Sequence, residues 1–426
     1  MSTSRPSDDG LKTWNWLVVA AANVALCALV AGSPHHPVYD EQWFLDTLDL
    51  LNRQGLSLGF LRKFPGAAGP TFTLLFAAVD RLFGLGFPWL RFTNIALLAA
   101  AAALIWRILV ATSERSAAAA PAPPSPALLA ASLTTLPTVG VLAGMALTEM
   151  PALFFIMVSV FLLTLAREPN AKALAWLAAI GCGGTIAVAV LGRQNYLVML
   201  PALTLAFGWP PAWRRRDLTR IAVIGAVVVL IVSPVFIVWG GLIPPKSAWS
   251  GNGFSPVNAV RSAGYAGIIV LLFAPEIFRV LWQRKPLLAA AALASIPLSL
   301  ATGGAPVPMA SLVRPLVGDQ SAAAIGIGFS FLLSLSAVCF LGCFVFYLWQ
   351  ERTNWLTRFA GSTALLGILS NAKITHQFSS RYLLVFLPFI VLATAPAART
   401  NWHQPLRLAL GACISLGALA SYYFGQ

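Results

Sequence analysis

The charged residues of this chain are few, and several stand where an apolar span of the sequence begins or ends. Asp40 and Glu41 follow the first apolar span, Glu149 begins another, and Arg193 and Arg381 lie in turns between later spans. A carboxylate can take a proton from a hydroxyl group, and a guanidinium can stabilise an anionic leaving group. These residue types favour a reaction with a general base and an anionic leaving group.

The composition places these residues in a membrane protein. The 426 residues are 58% hydrophobic and only 10% charged, and the mean hydropathy is +0.79. Lipid is therefore expected to be the solvent for most of the surface. Apolar runs recur near the length of roughly 20 residues that crosses about 30 Å of hydrocarbon. Because the runs are continuous, they favour helices over strands. The sequence predicts one all-α polytopic membrane domain over residues 1–426.

Apolar runs between charged breaks predict about thirteen membrane-spanning helices. Residues 70–83 are not counted, because the run is too short for a crossing and Asp80 and Arg81 interrupt its end. They are predicted to form an interfacial helix within a long first outer loop, residues 33–91. An Ala/Pro-rich cytoplasmic linker covers residues 113–125. The predicted spans are 14–32, 92–112, 126–145, 149–166, 172–191, 195–209, 219–239, 264–282, 286–303, 323–349, 358–371, 382–397 and 407–424.

The basic residues orient these spans. With the N-terminus in the cytoplasm, well over half of the 28 Lys and Arg residues fall in cytoplasmic segments, as the positive-inside rule requires. The net charge of +14 is assigned to these segments and to lipid headgroups, and nucleic acid is not an expected partner because no basic run carries a recognisable motif. We predict a multi-pass protein of the bacterial inner membrane, with its active site facing the periplasm.

A surface helix is predicted within the first outer loop, over residues 40–52. Asp40 and Glu41 would lie at its N-terminus, where the helix dipole stabilises negative charge. Two roles therefore stay open for Asp40, as the cap of this helix or as a catalytic group. The apolar side at helical spacing consists of Phe44, Leu45, Leu48 and Leu51.

Two later outer turns add polar residues to the candidate site. Arg193 has an alternative role as the ion-pair partner of Glu149, which neutralises two charges near the membrane. Arg381 has an alternative role as an interfacial anchor beside Tyr382. The two turns contribute Arg193, Gln194 and Asn195, and Lys373, His376 and Arg381.

Metal and thiol chemistry receive little support from the spacing of ligands. Asp40, Glu41 and Glu149 are hard oxygen ligands that leave a divalent cation possible, but their spacing is not that of a known metal motif. No other cofactor is predicted. The cysteines lie inside apolar runs and are expected to be small core residues and not disulfides or metal ligands: Cys27, Cys182, Cys339, Cys343 and Cys413.

In this order the features resemble the GT-C superfamily of membrane glycosyltransferases, which use lipid-phosphate sugars. The acidic motif in the first outer loop, the two interfacial helices before the second span and the acidic site before the fourth span carry the resemblance. The sequence is most similar to the dolichyl-phosphate-glucose α-1,2-glucosyltransferase family, over residues 35–200. Beyond that range the resemblance continues in the topology and the Arg381-Tyr382 turn.

Three motifs carry this closer resemblance. Tyr39-Asp40-Glu41 resembles the family's Asp-Glu motif in the first lumenal loop. Thr148-Glu149-Met150-Pro151, followed by Phe154-Phe155, is similar to its second loop. Arg193-Gln194-Asn195 resembles its Arg-Gln-Thr-Asn motif with one residue fewer. His35-His36 precede the acidic pair, whereas the family's histidine motif follows it.

The resemblance implies a GT-C-like bundle that moves a sugar from a polyprenyl-phosphate donor to a glycan or lipid-linked acceptor, with inversion. It implies Asp40 as the general base, with Glu41 or Glu149 orienting a substrate hydroxyl. The donor phosphate is expected to bind Arg193, Arg381 and Lys373, and other substrate contacts are expected from Tyr39, Gln194, Asn195 and His376.

Two other functions share part of this pattern. A transporter or flippase for a lipid-linked sugar would have similar helices and a basic rim, but its charges or broken helices should lie near the membrane midplane. A lipid-binding scaffold would not need the acidic pair at residues 40 and 41.

Overall fold

The computed structural model of the chain describes residues 8–84, 86–113, 125–167, 172–207, 215–247, 253–303, 310–375 and 379–424. Within these residues the regular structure is helical, and there is no strand. The helices are α1 Asp8–Ala31, α2 Glu41–Gln54, α3 Leu58–Lys63, α4 Thr71–Phe83, α5 Trp89–Ser113, α6 Pro126–Ala131, α7 Val139–Gly144, α8 Glu149–Ala166, α9 Lys172–Val190, α10 Met199–Phe207, α11 Arg215–Trp239, α12 Pro256–Phe273, α13 Arg279–Gln283, α14 Lys285–Thr302, α15 Ala310–Gln350, α16 Trp355–Ser370, α17 Arg381–Leu384, α18 Leu387–Thr394 and α19 Gln404–Phe424.

In the part of the chain that the structure describes, nine helices are long and apolar enough to cross a membrane. The protein is therefore an all-α integral membrane protein with several crossings. Each of the nine overlaps a span that the sequence predicts, and the ends agree within a few residues except at α12 and at the start of α15. Helix α15 begins at Ala310, well before the predicted 323, and its helical backbone is interrupted at Gly318. The nine are α1, α5, α8, α9, α11, α12, α14, α15 and α19.

The other four predicted spans are shorter or broken. Residues 126–145 divide into α6, a short 3-10 turn and α7, and Thr138 between them has a left-handed φ of 67°. Residues 195–209 and 358–371 coincide with α10 and α16, and residues 382–397 with α17 and α18. Every residue of α18 is buried, so its apolar composition reflects packing inside the bundle and not contact with lipid.

The predicted span at 264–282 is wrong in its bounds. The helix found there, α12, occupies Pro256–Phe273 instead. Its first turns are polar, and hydropathy alone assigns them to a loop. Asn258 in these turns donates a hydrogen bond of 2.6 Å to the carbonyl of Ile374. A buried polar side chain with such a partner is compatible with a helix inside the bundle. Pro275 follows the helix and begins a 3-10 turn.

Residues 33–91, the predicted first outer loop, contain two helices at the predicted positions. Helix α2 begins and ends within two residues of the predicted 40–52, and α4 has 13 residues and begins at Thr71. Leu48 and Leu51 of α2 are buried, whereas its Asp49 is exposed. The position of both helices at a membrane surface stays a prediction, and residues 114–124 of the predicted linker lie outside the described residues.

Hydrogen bonds hold this loop against the spanning helices. The Thr71 hydroxyl donates to the carbonyl of Val188 in α9 at 2.5 Å. The indole of Trp239 in α11 donates to the carbonyl of Leu61 in α3 at 3.0 Å. These bonds close the loop over the end of the bundle at which α8 begins and α9 ends.

Glycines allow α12 and α15 to approach closely, as is common between membrane helices. A Cβ added at Gly264 of α12 would lie 2.5 Å from the carbonyl oxygen of Leu333 in α15. We therefore expect Gly264→Ala to destabilise the protein by about 1–3 kcal/mol, the usual cost of overpacking. The measurement is the thermal unfolding midpoint of the purified protein in detergent.

Gly328→Ala in α15 is the matched control, because nothing lies within 4 Å of a Cβ added there. It should leave the unfolding midpoint unchanged or raise it, since alanine favours a helix over glycine. Equal midpoints for Gly264→Ala and the wild type would contradict the close packing of α12 on α15.

Candidate active site

Asp40 immediately precedes α2 and is partly open to solvent, with 30% of its side chain exposed. It stands at the N-cap position but makes no side-chain capping hydrogen bond. Its Oδ2 lies 2.5 Å from Nη1 of Arg381 in α17. Asp40 therefore does not cap α2 through its side chain. Its carboxylate contacts a cation instead.

Glu149 is the first residue of α8, and its side chain is only 1% exposed. Its Oε1 accepts a short hydrogen bond from Nη2 of Arg193, in the turn that follows α9. The Thr148 hydroxyl lies 3.4 Å from its other oxygen. The ion pair between Arg193 and Glu149, left open by the sequence, is thus formed.

Arg381 joins the two carboxylates. Its Nη1 contacts Asp40, and its Nε lies 3.8 Å from Oε1 of Glu149. Burial alone would lower the pKa of Arg381, but the carboxylates of Glu149 and Asp40 raise it well above its ordinary value. The guanidinium therefore stays charged, and its side chain is only 17% exposed. This position differs from that of an interfacial anchor, which would extend towards the headgroups.

The four groups have balanced charge and spare hydrogen-bonding capacity. Two carboxylates face two guanidinium groups, so the cluster of Asp40, Glu149, Arg193 and Arg381 is neutral as a whole. Nε of Arg193 and Nε of Arg381 are buried and make no hydrogen bond within the described residues. Buried guanidinium nitrogens without an acceptor are suited to an anion that enters the cluster.

Glu41 is adjacent to Asp40 in the sequence but has a different environment. It is fully buried and forms a two-pronged ion pair with Arg91 of α5, with distances of 2.9 and 2.6 Å. Its oxygens also accept from the backbone N–H groups of Val38 and Ala146, at 2.8 and 2.7 Å. Four hydrogen bonds fill the acceptor sites of a carboxylate, so Glu41 has none left for a substrate.

Arg91 is a residue that the sequence analysis missed. Its side chain is the largest fully buried one among the described residues. Besides Glu41, it donates to the Ser33 hydroxyl at 2.7 Å and to the carbonyls of Pro34 and His36 at 2.6 and 2.9 Å. A charged residue directly before a predicted span, unmatched by a nearby acidic residue, was the available signal.

Tyrosine rings surround the Asp40–Arg381 pair. Tyr39 is 51% exposed, and its ring centroid lies 5.1 Å from that of Tyr422 in α19. The guanidinium carbon of Arg381 lies 5.9 Å from the centroid of Tyr39 and 5.5 Å from that of Tyr382. Burial, and then the charge of Asp40, raise the pKa of Tyr39, so its hydroxyl stays protonated. Tyr422 is a second residue that sequence reasoning missed, because it lies inside an apolar span.

Tyr39 also has an unusual backbone. Its φ is 54°, a left-handed conformation that costs energy for a bulky side chain. Such strain occurs at functional sites, where the surrounding structure holds it in place. Here the following residue is Asp40, and the preceding segment is held by Arg91 through the carbonyls of residues 34 and 36.

The remaining predicted site residues lie at different distances from this cluster. Gln194 donates to the carbonyl of Ala67 in the first loop at 3.2 Å. Asn195 lies 3.5 Å from the amide oxygen of Asn371, two residues before the exposed Lys373. The turn at 371–373 is thus adjacent to the Arg193 turn. His376 lies outside the described residues.

The acidic residues do not form a metal site. Within the described ranges, no group of three or more His, Cys, Asp or Glu side chains is placed to hold a metal ion. Asp40 and Glu149 each face a guanidinium, and the oxygens of Glu41 are already occupied. The predicted possibility of a cation held by these three carboxylates therefore does not fit their positions.

Comparison with known proteins gives a likeness of architecture only. No protein-family profile matches the chain, and no curated protein does. The fold is similar to that of ArnT from Cupriavidus metallidurans in the apo state, with 14% identity over 96% of this chain and 78% of that chain and a TM-score of 0.46. The structure of the same protein bound to undecaprenyl phosphate gives 14% identity over 95% and 77%, with a TM-score of 0.41.

A third solved structure with similarity to this fold is the Archaeoglobus fulgidus oligosaccharyltransferase in complex with Zn and sulfate. The identity is 15% over 95% of this chain and 53% of that chain, and the TM-score is 0.47. This chain thus spans about half the length of the oligosaccharyltransferase. At such scores the similarity describes a helical arrangement, and function must follow from the chemistry of the site.

Glu41→Gln is expected to destabilise the fold strongly. The substitution leaves the Arg91 charge buried without its counter-charge, and breaking a buried pair costs about 3–5 kcal/mol. We expect a lower thermal unfolding midpoint in detergent or loss of the folded protein during purification. Asp49→Asn, on the exposed side of the same helix, is the control and should have the same unfolding midpoint as the wild type. A Glu41→Gln protein as stable as the wild type would show that this pair does not hold the loop.

Proposed function

We propose that the protein is a membrane glycosyltransferase of the GT-C type. It moves a sugar from a polyprenyl-phosphate donor to a glycan or lipid-linked acceptor. The observation that carries this proposal is the pairing of a partly exposed Asp40 with Arg381, beside the buried pair of Glu149 and Arg193. A base and two cations within one cluster suit a reaction in which a hydroxyl is deprotonated and a phosphate leaves.

Asp40 is the general base of this reaction. The acceptor oxygen bonds to the anomeric carbon on the face opposite the phosphate, and its proton passes to the Asp40 carboxylate. The bond between the anomeric carbon and the phosphate oxygen breaks, and its electron pair leaves on the polyprenyl phosphate. The anomeric configuration is inverted. Asp40 suits this role because its side chain is partly exposed and is not used as a helix cap.

Arg193 and Arg381, with the exposed Lys373, hold the donor phosphate. The unpartnered Nε atoms of the two arginines supply hydrogen-bond donors for its oxygens. A phosphate that takes part of the Arg381 charge also weakens the ion pair between Arg381 and Asp40. The Asp40 carboxylate is then released from the guanidinium and faces the acceptor hydroxyl, whose proton it takes.

The neighbouring residues orient the substrates and the base. Glu149 holds both arginines in place and presents its carboxylate to a sugar hydroxyl when the phosphate is bound. Glu41 is a positioning residue, because it acts through Arg91 on the backbone that precedes Asp40. The sugar lies against Tyr39, whose exposed ring has an apolar face and a polar hydroxyl. Further substrate contacts are assigned to Gln194, Asn195 and His376.

The proposed setting is the inner membrane of a bacterium, with the N-terminus in the cytoplasm and the active site at the periplasmic face. The excess of basic residues in the opposite segments supports this orientation. The donor enters from the outer leaflet, with its polyprenyl chain against the bundle and its phosphate at the level of Arg381.

The first test is sugar transfer by the purified protein from a panel of labelled polyprenyl-phosphate sugars, with membrane lipid extract as acceptor. Asp40→Asn should lower the rate by roughly 10²–10⁴-fold, the usual contribution of a general base, and should fold normally because its side chain is partly exposed. Asp49→Asn is the control and should transfer at the wild-type rate. Equal transfer by Asp40→Asn and wild type would exclude Asp40 as the base.

A flippase would give a different result in the same preparation. It would move the labelled lipid between the leaflets of liposomes and leave every donor unconsumed. That outcome would replace the glycosyltransferase proposal.

Arg381→Lys tests the bridge between the two carboxylates. The ammonium of a lysine has its three donors on a single nitrogen, whereas the guanidinium spreads its donors over several nitrogens in a fixed plane. A lysine therefore cannot reproduce the separate contacts of Nη1 with Asp40 and of Nε with Glu149. We expect kcat to fall by roughly 10²–10³-fold, as when one donor to a developing anion is removed, and the KM for the donor to rise. Arg53→Lys, exposed on α2, should change neither. Unchanged kinetics in Arg381→Lys would remove Arg381 from the phosphate site.

A further inference from the structure

A cavity lies at the end of the bundle opposite the proposed active site. The N-terminal turns of α12 contact the 371–375 segment through Asn258, which places them at the active-site end. Since α12 is long enough to cross the membrane, its last turn and the following residues lie at the other end. A cavity of about 300 Å³ opens there between the 275–283 segment and the last turns of α15.

Two opposite charges line this cavity. Glu276 and Arg279 are three residues apart, and both contribute to its wall. No ion pair joins these two within the described residues, although both are charged groups of one short segment. The gap between them is therefore available to a ligand that carries a cation and an anion of its own.

The carboxylate of Glu276 is not fully satisfied by the protein. Its Oε1 accepts a hydrogen bond of 3.4 Å from Asn401, and its Oε2 is buried without a hydrogen-bond partner in the described part of the chain. Burial raises the pKa of Glu276, and a hydrogen bond from its own backbone and the positive charges of Arg407 and Arg399 partly offset this effect. A buried carboxylate oxygen without a donor is costly, and an ammonium group in the cavity would supply one.

The remaining wall suits a lipid more than a soluble molecule. Cys343 and Phe346 of α15 line the apolar part, and Gln283 and Gln350 line the polar part. The outer face of the same helix is apolar and exposed at Phe346, as expected of a surface that lipid covers. The exposed Trp282 and Trp349 precede the lining residues Gln283 and Gln350 in the sequence, at the ends of α13 and α15. They are of the type enriched at the level of lipid headgroups.

We propose that this cavity binds the zwitterionic headgroup of a phospholipid with a primary amine, a phosphatidylethanolamine. The ammonium group lies against Glu276, and the phosphate lies against Arg279. The amides of Gln283 and Gln350 supply further hydrogen bonds. The acyl chains leave the cavity past Phe346 and run along α15. The volume is near the lower end of the roughly 300–1,000 Å³ that small-molecule sites occupy, which suits a headgroup without its acyl chains.

This site is independent of the proposed transfer reaction, because it lies at the opposite end of the bundle. Its test is the composition of lipid that remains with the protein. The purified protein is reconstituted in vesicles of equal parts phosphatidylethanolamine and phosphatidylglycerol and extracted with mild detergent. The lipids retained by the protein are then measured by mass spectrometry. We expect the wild type to retain phosphatidylethanolamine at least about fivefold over phosphatidylglycerol, an enrichment worth roughly 1 kcal/mol.

Two variants test the contributions of the two charged residues to lipid binding separately. Glu276→Gln should remove the preference and bring the ratio of the two lipids to that of the vesicles, because the amine loses its carboxylate. Arg279→Gln should lower the retained amount of both lipids, because the phosphate contact is common to them. Since Arg279 is exposed, this variant keeps the test decisive if Glu276→Gln does not fold.

The matched controls are Glu351→Gln and Arg352→Gln, at charged residues of the turn that follows α15, which do not line the cavity. Both should retain lipid as the wild type does. A wild-type ratio equal to that of the vesicles, a preference for phosphatidylglycerol, or an undiminished preference in Glu276→Gln would each overturn the proposal.

Discussion

The ion pair between Glu41 and Arg91 is the contact on which the candidate site depends. Charges taken out of water are tolerated only when they are paired and their remaining hydrogen-bonding groups are satisfied. Both side chains of this pair are fully buried, and each also bonds to backbone groups of the surrounding segments. The pair thereby joins the first outer loop to α5 and to the segment before α8. It thus fixes the residue next to Asp40 and the segment that leads to Glu149.

Adjacent carboxylates in this chain have different roles because their environments differ. Glu41 points into the bundle and is saturated, whereas Asp40 is partly exposed and faces Arg381. In other proteins, too, the surroundings of two nearby carboxylates give each of them a different chemical role. Here Glu41 is used within the loop, and Asp40 is left partly exposed for the role that we propose for it.

The charged side chains at the two ends of the bundle differ in how they are paired. At the active-site end, Arg381 shares its charge between Asp40 and Glu149, and Arg193 completes a neutral cluster. In the proposed mechanism, the donor phosphate enters this cluster and takes over part of the contact between Arg381 and Asp40. At the other end, Glu276 and Arg279 line one cavity without pairing with each other, and the proposed zwitterionic headgroup would meet both charges.

The sequence by itself determined the class of the fold and indicated the residues of the candidate site. Long apolar runs marked the nine described helices that are able to cross a membrane, because hydrophobicity over about 20 residues is a local property. Charged residues are rare in this apolar chain, and this rarity is the local signal that indicated the motifs at residues 39–41, 149 and 193, and Arg381. Their meeting was an expectation from topology, and the contacts among Asp40, Glu149, Arg193 and Arg381 agree with it.

Only the tertiary structure decided which charge pairs with which. The partner of Glu41 is Arg91, and that of Asp40 is Arg381, from near the other end of the chain. It also decided that α12 begins within a polar segment and that α18 is apolar because the bundle encloses it. Composition and periodicity indicate whether a segment is more stable in an apolar environment or in water. They do not report which distant side chain satisfies a buried charge, because that depends on contacts between helices that are far apart in the sequence.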